Sequence, residues 1–210
     1  MSREIIWRDV SRETWNDVHQ LWLANETRLN AYAETLFALN QRINLISRKL
    51  SLDDVRDHIF HSLIPICLFK FSHHTILDTG TGGGLPGIPL AIIQPENHFI
   101  LHDKSTKKES ALKEIISTLH LTNCTTRSDD LNNLTIQEPI SLVSKHAFKL
   151  DDFFRRSRKV NWKEAVFYKG RDFEKEINAS HLNKYFFYAW PLDELGEFFS
   201  EKVILKIEHR

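Results

Sequence analysis

Glycine is scarce in this chain. Only seven occur in 210 residues, and five of them fall within residues 80–87. Such economy concentrates glycine where backbone must bend tightly or meet a ligand closely. Cysteine is scarcer: Cys67 and Cys124 lie far apart and read as reduced core thiols, not a disulfide framework. No apolar run approaches the roughly 18 residues of a membrane span, and Met1-Ser2-Arg3-Glu4 leads into no signal-type segment. Both absences predict a cytoplasmic protein. Net charge is missing too, with 28 Lys+Arg against 28 Asp+Glu. No global field recruits nucleic acid or membrane, so any such binding must come from a local cluster. What is present, 41% hydrophobic and 27% charged residues, excludes a disordered or fibrous chain. The length suits one domain, or one domain with an appendage.

Periodicity divides the chain. Trp15, Val18, Trp22, Leu29, Tyr32, Leu36, Leu39 and Ile43 recur at helical spacing and predict one helix over 13–43. A polar turn over 40–50 follows, then a helix over 53–71, interrupted near Pro65. From Thr75 onward strands and helices alternate: strands at 75–78, 98–103, 124–128, 140–144 and 165–169, with helices at 86–93, 106–120, 151–159 and 174–179. Two last strands, 185–190 and 202–208, have no long helix between them and predict antiparallel pairing at the sheet edge. The pattern is a doubly wound α/β sheet over 73–210 behind an α-helical region over 1–72.

The glycines belong to Thr75-Ile-Leu-Asp78-Thr-Gly80-Thr-Gly82-Gly83-Gly84-Leu-Pro86-Gly87-Ile-Pro89. A strand ends at Asp78, a loop follows, and a helix opens near Pro86, where a missing N–H is harmless. Backbone donors at that helix start can meet a carboxylate or phosphate. Two cofactors compete. Gly82, Gly84 and Gly87 fit G-x-G-x-x-G, with Asp103 21 residues after Gly82, as dinucleotide binding requires. Asp78, Gly80, Gly82 and Gly84 fit Asp-x-Gly-x-Gly-x-Gly, the first motif of S-adenosylmethionine-dependent methyltransferases with a Rossmann-like sheet. Position favours the second. A dinucleotide fingerprint opens directly after its strand, and an acidic strand end suits an ammonium better than a pyrophosphate. Asp103, closing the second strand, can accept from both ribose hydroxyls; it can also cap the helix that starts near Ser105. Asp129 and Asp130 follow the third strand, where this fold meets the adenine, or they are turn carboxylates.

Together these residues resemble a known family, the bacterial small-subunit ribosomal RNA methyltransferase G family, formerly glucose-inhibited division protein B. The resemblance rests on Asn44-Leu-Ile-Ser47, His58-Ile-Phe-His-Ser-Leu63, the stretch from Leu77 to Leu90, and Asp103 followed by Lys107-Lys108. Weaker support comes from Arg127-Ser-Asp-Asp130, Val143-Ser-Lys145 and Lys169-Gly170. It implies a Rossmann-like class I fold, S-adenosylmethionine as cofactor, and methylation of N7 of guanine 527 in the 530 loop of 16S rRNA, naked or in the small subunit. It implies cofactor contacts from Asp78, Gly80, Thr81, Gly82, Gly84, Leu85, Asp103, Arg127 and Asp129. Lys145 takes the place of an arginine by the active site and is the expected catalytic contact to substrate. Lysine keeps that charge but not the planar fork.

Residues 145–175 carry ten Lys or Arg against five Asp or Glu. The densest run is Arg155-Arg156-Ser157-Arg158-Lys159, which, with Lys145, is the candidate RNA contact because counterion release drives phosphate binding. A solvated helix face is the plain alternative. Phe148, Phe153 or Phe154 could stack a splayed base, or belong to the core. His58 and His61 lack a third ligand at suitable spacing, so no metal is expected. A dinucleotide-dependent oxidoreductase and a non-catalytic RNA-binding relative remain as other readings. Guanine N7 carries no proton, so the expected reaction needs positioning rather than a general base.

Overall fold

The computed structural model describes residues 5–210. The chain begins with strand β1 (Ile5–Trp7) and helices α1 (Arg12–Ala24), α2 (Glu26–Asn40) and α3 (Leu52–Leu68). The sheet region follows as β2 (Thr75–Thr79), α4 (Gly87–Ile93), β3 (His98–His102), α5 (Thr106–Thr118), β4 (Cys124–Arg127), β5 (Ile136–Lys145), α6 (Leu150–Arg156) and β6 (Val160–Gly170). A 3-10 segment leads to α7 (Ala179–Lys184), β7 (Tyr185–Pro191) and β8 (Lys202–His209). One eight-stranded sheet results, in the order β1-β7-β8-β6-β5-β2-β3-β4. Neighbours pair parallel except around β8, which runs antiparallel to both β6 and β7.

Several expectations change. The last strand is antiparallel, but it does not lie at the edge: β8 is inserted between β6 and β7, and the edge is closed by β1, which is too short for its periodicity to show. Of the expected 1–72 region, the first four residues lie outside the described ones, and β1 belongs to the sheet. The single helix expected over 13–43 is two, because Asn25 leaves helical geometry (φ −125°, ψ 15°) and its side-chain amide donates to the Leu21 carbonyl at 3.0 Å. By contrast α3 runs through Pro65, which gives up one intrahelical bond, the one to the His61 carbonyl, three residues before the helix ends. Strand β5 starts earlier than expected, and its register against β6 shifts beside Pro139, which cannot donate to the ladder. Helix α6 ends at Arg156, with Ser157 N–H on the Phe153 carbonyl.

Strand alternation feeds two cores. Ile76, Val143, Val166, Tyr168 and Ile204 face α1–α5, and Leu77, Leu142, Ala165, Phe167, Leu205 and Ile207 face Phe153, Phe173 and Leu150 on the other side. Local signals fix the helix starts. Ser51 and Asp54 form a reciprocal capping box on α3, and Ser105 caps α5. The strand ends β2, β3, β4 and β5 therefore open together on one rim, between the α3 side and α6.

Candidate active site

At that rim lies a cavity of about 660 Å³. Its floor is the glycine loop. Gly80 (φ +74°) and Thr81 each donate N–H to the His102 carbonyl, at 2.8 and 3.0 Å, so the loop is stitched to β3. A Cβ at Gly80 would collide with that of Ala147, which closes the cavity from the β5 end. Asp78 lies beneath the loop and is wholly buried. One of its oxygens accepts from Thr81 Oγ1 at 2.5 Å and from Gly87 N–H at 2.7 Å; Oδ1 has no partner among the described residues. Burial pushes this carboxyl up to about 7. Asp103 lines the cavity and accepts from Gly82 N–H (3.2 Å), Ser105 N–H (3.1 Å) and Lys108 Nζ (3.3 Å).

A buried hydrogen-bond chain ties four strand ends together. Ser144 Oγ donates to the Thr79 carbonyl (2.9 Å), Thr79 Oγ1 meets His102 Nδ1 (3.1 Å), and His102 Nε2 meets the Asp129 carbonyl (2.9 Å). The carbonyl can only accept, so Nε2 carries the proton and the Thr79 hydroxyl donates to Nδ1. Burial lowers the pKa of His102, which favours this neutral ring.

Of the sequence candidates, Gly80, Thr81, Gly82, Leu85, Asp103 and Lys145 line the cavity. Asp78 and Gly84 support it from below. Arg127 and Asp129 do not line it: they pair with each other at 2.9 Å, and Asp130 with Leu131 occupies the wall after β4. Within the basic run, only Arg156 reaches the cavity, held by Asp152 (2.8 Å) and Asp130 (3.3 Å). Arg155 is also paired with Asp152. Arg158 and Lys159 are exposed and have no ion-pair partner among the described residues. Phe148 lines the cavity, whereas Phe153 is core and Phe154 stacks on Tyr185 at 4.8 Å.

Lys145 is nearly buried. Its ammonium donates to the His58 carbonyl (2.7 Å) and to Ser62 Oγ (3.2 Å), 5.2 Å from the Tyr168 ring centre. No carboxylate forms an ion pair with it among the described residues. Burial, then the Lys202 charge, lowers its pKa well below the usual lysine range, against the pull of Asp78.

One wall was missed by periodicity: Leu45, Ile46, Ser47 and Leu50, in the turn between α2 and α3. Asn40, almost fully buried, builds it by accepting from Leu45 N–H (2.9 Å) and Ile46 N–H (3.0 Å). The wall leans on the glycine loop, with Tyr32 Oη on the Gly83 carbonyl at 3.0 Å. The Asn44–Ser47 resemblance was the available signal. His58 and His146 complete this side. Both are held down at about 4, His58 and His146 alike first by desolvation and then by Lys145. The cavity's carboxylates, Asp103, Asp130 and Asp152, lie on the β3, β4 and α6 side together with Lys104, Lys108 and Arg156, whereas the α3 and β5 side presents His58, His146 and the Lys145 amine and no lining carboxylate among the described residues. Among the described residues no three His, Cys, Asp or Glu side chains are placed to hold a metal ion.

Comparison with known proteins agrees with this geometry. The chain is 36% identical over 193 residues to the ribosomal RNA small subunit methyltransferase G of Chlorobium chlorochromatii, covering 85% of this chain and 80% of that one. It is 34% identical over 174 residues to the protein of the same name from Flavobacterium johnsoniae, covering 78% of each. Among solved structures, an O-methyltransferase from Bacillus cereus in complex with SAH superposes with a TM-score of 0.58 at 16% identity, covering 84% of this chain and 90% of that one, which shows the shared fold. A model of the rRNA small subunit methyltransferase G family matches residues 25–189, from the residue before α2 into β7, and the chain belongs to that family.

Proposed function

We propose that this protein transfers a methyl group from S-adenosylmethionine to N7 of guanine 527 in 16S ribosomal RNA, acting in the cytoplasm on the RNA or the small subunit. The observation that carries the reading is the cavity floor: an acidic strand end with an unpartnered buried oxygen beneath a glycine loop, and a second carboxylate, Asp103, one strand away. The cavity has the size of a small-molecule site, and its donor set fits the cofactor. Asp78 sets a negative charge beneath the bed that answers an ammonium above it, the Gly83 N–H, which has no acceptor among the described residues, can meet a carboxylate, and Asp103 answers a pair of hydroxyls. No helix among the described residues is long and apolar enough to cross a membrane.

When bound, S-adenosylmethionine supplies an electrophilic methyl on a sulfonium. The chain's part is to hold and orient. Gly80, Thr81, Gly82 and Leu85 line the bed, and Asp78 and Gly84 fix its shape. Asp103 holds the ribose. Asp130 takes the adenine-side place expected of Asp129, whose backbone is pinned by His102. N7 has a lone pair and no proton, so no residue needs to remove one; proximity and orientation supply the acceleration. Lys145 contacts the substrate side, and Arg158 with Lys159 contacts phosphate. In this reading residues 1–72 serve the 73–210 core by providing the Leu45–Leu50 wall.

Nucleoside analysis of ribosomal RNA from cells with and without the gene tests the proposal: 7-methylguanosine at position 527 should vanish with the gene. Calorimetry adds a second test, in which S-adenosylhomocysteine binds and NAD does not. NAD binding more tightly would return the oxidoreductase reading. Cofactor binding without any methyl transfer to small subunits would leave a non-catalytic RNA-binding relative.

A further inference from the structure

We propose that His146 reads the target base, donating a ring N–H to O6 of the guanine beside the reacting N7; this rests on the function proposed above. Three observations converge on it. First, His146 lines the cavity immediately after Lys145, and its backbone takes φ +56°, a left-handed conformation that few side chains other than glycine adopt. Such a conformation is kept where the surrounding structure imposes it, here between β5 and the Ala147 contact with Gly80. Second, its ring nitrogens bond to no described residue, although the ring sits 6.5 Å from that of the buried His61. It keeps an exposed edge and is free to meet a ligand.

Third, the surroundings choose the sign of that ligand. The charges acting on His146 are those of Lys145, Lys202 and Lys169. The cavity's carboxylates, Asp103, Asp130 and Asp152, lie on the opposite side, two of them engaged by Arg156. A wall of this kind favours an edge made of acceptors. Guanine offers N7 and O6 side by side, whereas adenine offers N7 beside an amine donor. His146 held neutral donates one N–H without placing a positive charge beside a ring that becomes cationic on methylation.

The test compares small subunits reconstituted with RNA carrying either guanosine or 2-aminopurine riboside at position 527. The analogue keeps N7 and the 2-amino group and lacks O6. Single-turnover methyl transfer is measured for the wild type, His146→Ala and His146→Gln, with S-adenosylhomocysteine affinity as the check on folding. The wild type should prefer guanosine by roughly 10- to 100-fold. In His146→Ala the preference should shrink to whatever the chemistry of the two bases imposes, a fall of about tenfold, and His146→Gln should recover part of it through its amide donor. An equal preference in all three proteins, with cofactor affinity unchanged, would overturn the assignment and leave the proposed function standing. Absence of transfer to the guanosine subunits by the wild type would instead refute that function, and the assignment with it.

Discussion

Replacing Asp78 by asparagine separates what this residue does for the fold from what it does for the cofactor. The carboxyl is wholly buried, and its pKa is pushed from the ordinary 3.8 to about 7, chiefly by burial. A group whose folded pKa lies above its unfolded one favours folding while protonated. Its stabilising effect is full below about pH 4 and drains away as pH rises toward 7. At 1.36 kcal/mol per pKa unit, ionised Asp78 costs the empty protein about 4 kcal/mol at pH 8. Asparagine cannot ionise. Its oxygen can still accept from Gly87 N–H and Thr81 Oγ1, but its amide falls where Oδ1 has no partner, at a cost of about 1–3 kcal/mol. The variant should therefore be less stable than the wild type near pH 4 and more stable at pH 8. Between pH 5 and 8 the gap between the two proteins should move by about 3 kcal/mol, or some 6–12 °C in Tm for a chain of this length. Thermal unfolding without cofactor measures it, and S-adenosylhomocysteine calorimetry on the same samples should show affinity falling as stability rises. A Tm offset that stays constant with pH would refute the argument, because the wild-type carboxyl would then not be titrating between the two conditions.

Other predictions concern the rest of the cavity. Asp103→Ala should weaken S-adenosylhomocysteine binding by about 1.5–3 kcal/mol in calorimetry, the range for hydrogen bonds to a charged group; unchanged affinity would leave Asp103 as a brace for Gly82 and Ser105. Arg158→Gln with Lys159→Gln should flatten the salt dependence of RNA binding by up to about 0.7–0.9 log units per lost contact. Arg155→Gln should do less, since Asp152 already neutralises that guanidinium. Lys145→Met should lower the single-turnover rate and spare cofactor affinity, with the wild-type rate nearly flat between about pH 6.5 and 8.5 because N7 carries no proton. A steep rise with pH in the wild type that Lys145→Met abolishes would make Lys145 a general base.

The sequence made the parallel heart of the sheet legible because each of its strands is followed by a turn or helix with its own signal. Asp78 precedes glycines that must turn, Ser105 caps α5, and the apolar runs of β2 and β3 alternate between two cores. The β8 insertion was not legible. Antiparallel pairing follows from the short connection after β7, but whether β8 lies outside β7 or between β7 and β6 depends on which faces find apolar partners. Here Val203, Leu205 and Ile207 fill one face of the sheet, and on the other Ile204 is buried while Lys206 pairs with Glu164 of β6 at 2.9 Å, contacts that hold β8 against β6 in the interior.

The site shows the same division between local and long-range causes. Glycine positions and strand-end carboxylates are fixed by neighbours a few residues away, and the motif exposes them. The Leu45–Leu50 wall is fixed instead by Asn40 below it and by Tyr32 and Leu36 pressing on Gly83, contacts that span the helical region and the sheet. The same holds for charge. Ten basic residues in 145–175 form an undivided cluster in one dimension, but folding sends them to different tasks. Lys145 turns inward to the His58 carbonyl, and Lys169 pairs with Glu176 at 2.6 Å. Arg155 and Arg156 share Asp152, whereas Arg158 and Lys159 in the turn after α6, with the exposed Lys149, Lys163 and Lys175, have no ion-pair partner among the described residues. A count of charges therefore overstates the phosphate-binding surface and understates the cavity, since a cation withdrawn from the surface, Lys145 above all, polarises the wall on which His146 stands.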